Sequence, residues 1–216
     1  MLVNFLYFTF LTFAIVLFFI CYFKEEKKIT RNIAVYSGSF NPLHIGHKAI
    51  IEDLCKKYIW VYLIVTPKNP LKDNISEKDI DERLEKAQNA LFKHGLYNVT
   101  VSDIEKNMLP PYYTIRTLDK LKENEPNNNF SLVIGADNLR QLKEWNNYKR
   151  LLTDYGVIVY PRGVDDVEVL YNLKKEYLSE NSNYKIEIVN TIIPNISSTE
   201  IRNAIKHGDN VDNLLM

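Results

Sequence analysis

Two histidines three positions apart, His44 and His47, sit within Gly38-Ser39-Phe40-Asn41-Pro42-Leu43-His44-Ile45-Gly46-His47, between the apolar run Ile33–Tyr36 and a helical pattern over Lys48–Lys57. Imidazoles delivered beside the amides that open a helix can donate to phosphate oxygens, and the helix end adds partial positive charge. Gly38 and Gly46 let the backbone approach a ligand closely, and Pro42 stiffens the turn. A strand-to-helix loop of this make-up suits a nucleoside triphosphate. Taken alone, two histidines near a helix start are also ordinary surface or core residues.

Near the far end of the chain, Ile196-Ser197-Ser198-Thr199-Glu200-Ile201-Arg202 offers hydroxyl N-caps, free amides and an arginine one turn into a helix. These are the parts of a second anion site. By itself the segment is also a well-capped helix.

Together, the two segments resemble the nucleotidyltransferase superfamily, whose signatures are a His-x-Gly-His loop and a late Ile-Ser-Ser-Thr-x-x-Arg helix start. Between them lie Thr66-Pro67-Lys68-Asn69-Pro70-Leu71-Lys72, Pro111-Tyr112-Tyr113-Thr114-Ile115-Arg116-Thr117-Leu118, Ile134-Gly135-Ala136-Asp137-Asn138 with Trp145, and Tyr160-Pro161-Arg162. These narrow the resemblance to bacterial-type nicotinate (nicotinamide) mononucleotide adenylyltransferases, over about Asn32 to Asp212.

The resemblance implies transfer of the adenylyl group of ATP to nicotinate mononucleotide, giving nicotinate adenine dinucleotide and pyrophosphate in NAD biosynthesis. It implies His44, His47 and Arg202 as catalytic residues on the ATP phosphates. The rest of the ATP site would be Gly38, Ser39, Phe40, Gly135, Asp137, Arg162, Ile196, Ser197, Ser198 and Thr199. Lys72 would lie by the mononucleotide phosphate, Trp145 would stack on the pyridine ring, and Thr114 would bond near its carboxylate. Mg²⁺ is implied with ATP as co-substrate, held mainly by substrate and water rather than by protein ligands. The chain departs from the family at Tyr112, where serine is common, and at Asn41, where aspartate is common. Alternatives are a related adenylyl- or cytidylyltransferase with another acceptor, such as pantetheine phosphate, or a membrane-tethered, non-catalytic nucleotide-binding module.

Lys and Arg total 27 and Asp and Glu total 27. That balance gives no global basic field, so nucleic acid is not an expected partner and any anion site must be local. The two cysteines, Cys21 and Cys55, have neither zinc-ligand spacing nor a disulfide framework. Cys55, among Ile50, Ile51, Leu54 and Tyr58, reads as a small apolar residue. With no Gly-x-Gly-x-x-Gly and no Gly-Lys-Ser/Thr, a dehydrogenase cofactor site and a P-loop are both unsupported.

Apolar runs at Ile33–Tyr36, Trp60–Val65, Asn98–Val101, Phe130–Ile134, Gly156–Tyr160 and Lys185–Val189 alternate with helical patterns. The helices are expected near Lys48–Lys57, Glu77–Lys93, Thr114–Lys122, Leu139–Lys143, Tyr148–Leu152, Val167–Leu178 and Ser198–His207. This order predicts an α/β fold, a Rossmann-like doubly wound parallel sheet with flanking helices. In such a sheet the segments 37–47, 66–72 and 135–138 converge outside the carboxyl ends of the strands.

Ahead of this pattern, Leu2–Phe23 is almost wholly aliphatic and aromatic. As a helix it would measure about 33 Å, enough to span a bilayer. Lys24, Lys27, Lys28 and Arg31 follow it and no lysine or arginine precedes it. The positive-inside rule therefore predicts an N-terminus outside and a cytoplasmic catalytic domain. The expected organisation is an N-terminal apolar helix anchoring residues 1–23, a basic juxtamembrane linker 24–31 and a nucleotidyltransferase domain 32–216. An overextended reading frame is the alternative source of the apolar start.

Overall fold

Along β1 (Asn32–Gly38), Ile33 and Val35 enter one apolar cluster while Ala34 and Tyr36 enter another, as the two-residue period of a strand dictates. A strand buried on both faces belongs in the middle of a parallel sheet. The computed structural model of the protein describes residues 12–16, 29–67, 80–161, 166–191 and 193–216, and the chain forms two units, Met1–Thr30 and Arg31–Met216.

In the first unit, residues 12–16 are helical and exposed. The remainder of the apolar anchor expected over 2–23, and most of the linker 24–31, lie outside the described residues. Among the described residues, no helix is long and apolar enough to cross a membrane.

In the second unit, β1 is joined by β2 (Trp60–Val65), β3 (Val99–Ser102), β4 (Asn129–Gly135), β5 (Val157–Tyr160) and β6 (Ile186–Ile188). All pair in parallel, in the order β3-β2-β1-β4-β5-β6. Helices α1 (Ile45–Lys57) and α2 (Ile80–Lys93) cover one face, where Ile51, Leu54 and Leu91 meet Val61, Leu63 and Val65. On the other face, α3 (Thr114–Asn124), α4 (Ala136–Arg140) and α5 (Asp166–Glu180) bring Leu118, Leu139 and Leu170 against Val35, Leu132 and Val159. Each such fully buried aliphatic side chain stabilises the fold by about 1.5–3 kcal/mol relative to exposure. Truncating Leu54 to alanine would cost about 2–5 kcal/mol, because a cavity is left behind.

The expected Rossmann-like sheet is therefore the one observed. Winding runs outward from β1 through β2 to β3, then reverses from β4 outward to β6. The adjacent strands β1 and β4 lead to opposite faces at this reversal and leave a crevice at their carboxyl ends.

Several helix limits differ from expectation for local reasons. The helix α1 begins at Ile45, three residues before Lys48, because His44 caps it. In place of a helix over Leu139–Lys143, α4 starts directly after Gly135 and is followed by a 3-10 turn at Leu142–Glu144. The helix expected over Tyr148–Leu152 is a short turn, Tyr148–Arg150, running into the π-helical turn Leu151–Tyr155. The Gly156 N–H closes that wider turn on the Leu151 carbonyl at 2.8 Å. The last helix, α6 (Ser198–His207), has the expected limits. Ser197 and Glu200 form a reciprocal capping box at its start, and Gly208 at φ 83° ends it.

Candidate active site

His44 is 4 % exposed and is itself the N-cap of α1. Its Nδ1 accepts the Gly46 N–H at 3.2 Å, and the His47 Nδ1 accepts the His44 N–H at 3.3 Å. The pair forms a capping box made of imidazoles, with rings stacked at a centroid distance of 3.7 Å. Because each Nδ1 accepts, the hydrogen of each neutral ring is assigned to Nε2. Both histidines are thus oriented as Nε2–H donors by the backbone that they cap.

The rest of the loop is shaped to hold these rings. Phe40 adopts φ 45°, a left-handed conformation that costs a bulky residue about 1–2 kcal/mol. Its buried ring meets Tyr36 and His47 edge-on at 5.2 and 5.1 Å, and that burial offsets the strain. The two glycines serve this packing, a reason that their expected role in ligand approach does not contain. A Cβ at Gly38 would stand 3.1 Å from the Phe40 ring, and one at Gly46 would stand 3.0 Å from the His44 ring.

The structure brings together the two segments expected to bind anions. Arg202 donates from Nη1 to the Asn41 carbonyl at 2.7 Å and from Nη2 to Thr199 Oγ1 at 3.0 Å. The Ser198 hydroxyl donates to the Pro42 carbonyl at 3.1 Å. The chain's last residues brace the same loop. The Ile45 N–H donates to the Leu214 carbonyl at 3.0 Å, and Leu215 bridges His44 in an antiparallel sense. A groove of about 520 Å³ runs between residues 40–43, α2, Arg202 and Met216.

Arg83, which sequence reasoning passed over, ties this loop to the next. It is 4 % exposed and donates to the carbonyls of Ser39 at 2.9 Å, Thr66 at 2.8 Å and Pro67 at 3.2 Å. Its one sequence signal is position: a cation in the apolar stripe Ile80, Arg83, Ala87, Ala90 of α2.

At the crevice between β1 and β4, a cavity of about 130 Å³ is lined by Gly38, Thr66, Glu105, Thr114, Ile134 and Trp145, among others. Thr114 stands at the start of α3, and half-buried Trp145 follows the 3-10 turn after α4. The two expected pyridine-site residues thus share one cavity with the first loop. Glu105, also unforeseen, is 2 % exposed and accepts the Thr117 hydroxyl at 2.6 Å. Burial pushes its carboxyl up, against the pull of the Thr117 and Thr66 hydroxyls. Nothing in its local sequence marks it, since its burial is set by the sheet and α3.

Of the segment 135–138, Asn138 lines this cavity together with Gly38 and Thr66. Gly135 caps α4, and exposed Asp137 pairs with Arg140 at 3.2 Å. Ile196 is half-buried just before the Ser197 cap. Lys72 and Arg162 lie outside the described residues. Cys55 is a half-buried free thiol against the α1–α2 cluster, and burial raises its pKa, as suits an unreactive packing residue. Among the described residues, no three His, Cys, Asp or Glu side chains are grouped to hold a metal.

Beneath the loop, the Asp53 carboxylate of α1 accepts from Tyr160 at 2.7 Å, Thr191 at 3.2 Å and Lys57 at 2.9 Å. Burial pushes this carboxyl up, but the three donors together outweigh it and hold it below its ordinary value. The same contact, after burial itself, pushes the Tyr160 phenol far up.

Chemically, these parts supply the two imidazoles as donors and a fixed cation, Arg202, beside the groove. Such a site can hold and neutralise negative oxygens.

Residues 35–204 match the family described as cytidylyltransferase-like. A relative from Flavobacterium johnsoniae, named a probable nicotinate-nucleotide adenylyltransferase, is 38 % identical over 85 % of this chain and 91 % of its own length. Another so named, from Fusobacterium nucleatum, is 37 % identical over 85 % of this chain and 92 % of its own. In fold, the chain is similar to a Plasmodium falciparum nicotinic acid mononucleotide adenylyltransferase solved as a complex with NaAD. That likeness has a TM-score of 0.65 at 19 % identity and covers 85 % of this chain and 88 % of the other.

Proposed function

The chain belongs to the cytidylyltransferase-like family, and we infer that it is a nucleotidyltransferase that moves the adenylyl group of ATP to nicotinate mononucleotide. The products are nicotinate adenine dinucleotide and pyrophosphate, in the service of NAD biosynthesis. What carries this reading is identity of more than a third to the relatives so named, over nine-tenths of their length.

In the reaction, a phosphate oxygen of the mononucleotide attacks the α-phosphorus of ATP. One P–O bond forms there while the bond to the bridging oxygen breaks, and that electron pair leaves with pyrophosphate. No covalent enzyme intermediate is needed, so catalysis rests on positioning and on stabilising charge as it builds.

We assign His47, with His44 beside it, to donate from Nε2–H to oxygens around the α-phosphate. Arg202 and the α6 start, Ser197 to Thr199, would hold the β- and γ-phosphates, where a planar guanidinium can grip two oxygens. The Ser39 and Phe40 amides would complete the cradle, with Gly38, Gly135, Asp137, Ile196 and Arg162 toward the nucleoside. Trp145 and Thr114 would take the pyridine ring and Lys72 the mononucleotide phosphate. Mg²⁺ would enter on the triphosphate, since it keeps several waters and is held mainly through substrate phosphates. When bound it would neutralise phosphate charge.

Pyrophosphate release by the full-length protein, given ATP, Mg²⁺ and nicotinate mononucleotide, tests the reaction. Pantetheine phosphate in the same assay tests the rival acceptor, and folded, ATP-binding protein silent with both acceptors would point to a binding module. The apolar stretch 2–23 and the cations after it support a membrane tether with the domain, residues 32–216, on the cytoplasmic side. Recovery of the full-length protein in the soluble fraction would overturn that tether.

A further inference from the structure

The backbone amides that open α1 are taken up within the chain. The His44 N–H donates to His47 Nδ1 at 3.3 Å, and the Gly46 N–H donates to His44 Nδ1 at 3.2 Å. The Lys48 N–H bonds the His44 carbonyl and the Ile45 N–H the Leu214 carbonyl, each at 3.0 Å. What this helix end presents to an anion is therefore governed by the two rings, and the rings are held by the His44 backbone.

That backbone is gripped from both sides by the last residues. Leu215 bridges His44 in an antiparallel sense. The flanking rungs run from the Ile45 N–H to the Leu214 carbonyl and from the Met216 N–H to the Leu43 carbonyl, the second at 3.4 Å. Between them His44 is extended, at φ −142° and ψ 171°, as suits an N-cap. The gripping segment is anchored in turn. Val211 is buried, the Leu214 N–H closes a turn on its carbonyl at 2.8 Å, and Met216 packs on the α1–α2 cluster.

We propose that Leu214 to Met216 form a positioning strap for the reaction: two backbone rungs keep His44 extended, and through it they aim both imidazoles as Nε2–H donors at the ATP phosphates. This rests on the assignment of the histidines to those phosphates given above. The strap acts through the cap rather than on the substrate.

An extended His44 turns its Nδ1 onto the Gly46 N–H while offering its own N–H to His47 Nδ1. When a rung is lost, the peptide at His44 gains freedom and both Nδ1 contacts loosen. Each neutral ring can then carry its hydrogen on either nitrogen. A ring with its hydrogen on Nδ1 turns a lone pair at Nε2 toward the phosphate oxygen and repels it. Turnover feels such a change more than stability does, since a misplacement of about 1 Å can cost about a hundredfold in rate.

Proline removes one rung at a time. I45P deletes the donor to Leu214 at the first helical position, where proline is accommodated, and it follows an extended residue, as proline prefers. M216P deletes the other donor at the far end of the strap. I45A and M216A remove the side chains and keep the N–H groups. In the full-length protein, kcat should fall by about tenfold in I45P relative to I45A. In M216P, whose rung is longer, it should fall by about threefold or more relative to M216A. KM for ATP should stay within about threefold, and the melting temperature within a few degrees. Nitrogen-15 spectra of the histidine rings at mildly basic pH, with the His94 and His207 signals assigned by replacement, should move from one Nε2–H form toward a tautomer mixture.

Turnover equal to the alanine control in either folded proline variant, with ring spectra unchanged, would overturn the proposal. So would a fall in turnover with unchanged ring spectra, the mark of a merely structural role. M216P decides alone if I45P does not fold. Rings that change tautomer while turnover holds would remove the assignment of the histidines to phosphate, and the proposal with it.

Discussion

Arg202 and Asn41, 161 positions apart in the chain, meet through a hydrogen bond of 2.7 Å from the guanidinium to the backbone carbonyl. With the Ser198 bond to the Pro42 carbonyl, this contact fixes the α6 start against the loop that carries both histidines. The guanidinium thereby has Nη1 committed to the loop and Nη2 to Thr199, and it lines the groove beside them.

Replacing Arg202 therefore separates charge from geometry. R202A is expected to lower kcat/KM for ATP by about tenfold or more, the scale of one charge-assisted bond. R202K keeps the charge but cannot bond the loop and a phosphate in parallel, so it should recover only part of the loss. Steady-state kinetics at varied ATP decides, and a fully active R202K would remove the bidentate role.

His47 caps α1, and asparagine can divide that role from the proposed one of donor to phosphate. In H47N the side-chain oxygen can accept the His44 N–H as Nδ1 does now, so the melting temperature should stay within a few degrees. Turnover should fall by about a hundredfold, as for loss of one preorganised donor. If H47N turns over normally, the imidazole is only a cap.

Arg83 is the tie between the loops that follow β1 and β2. R83M leaves the carbonyls of Ser39, Thr66 and Pro67 without their donor and should destabilise the protein by at least about 2 kcal/mol in urea titration. Where the variant stays folded, KM for ATP should rise, because both released loops border the site. R83K, with a single ammonium, should fall between.

Asp53 predicts the acid side of the stability profile. Its folded carboxyl titrates below the ordinary value of 3.8, so the stability it contributes is present above that pH and is lost as pH falls through the lowered value. D53N should be less stable at neutral pH and should show a shallower acid decline. Thermal melts from neutral to low pH check both, and parallel curves would contradict the assignment.

Glu105 acts with the opposite sign. Its folded carboxyl titrates above the ordinary value of 4.5, so stability is complete below that pH and declines as pH rises through the raised value. E105Q should therefore gain on wild type as the buffer is made more basic, in the same melting experiment.

How much of this was legible in the sequence depended on whether the cause was local. The sheet and the limits of α6 were readable because strand period, capping box and terminal glycine are written within a few residues of one another. The histidine loop was readable by type and spacing, yet its capping role was hidden, since imidazole is not a usual N-cap. Arg83 and Glu105 could not be found this way. Their partners lie on other strands and turns, and what fixes them is burial by the assembled sheet. The packing role of the two glycines could not be read, because the rings of Phe40 and His44 that occupy their space are placed only by folding.

The strap formed by Leu214, Leu215 and Met216 over Leu43 to Ile45 also sets when the site can exist. The histidine loop leaves the ribosome early, but the guanidinium that grips Asn41 follows 161 residues later, and the strap later still. At about 5–20 residues per second, the loop waits roughly 8–32 s for Arg202. The sheet around β1 and β4 can form during that interval, whereas the histidine loop gains its contacts to Arg202 and Leu214 only after those residues emerge, so a chain released before them would carry β1 and β4 without those contacts.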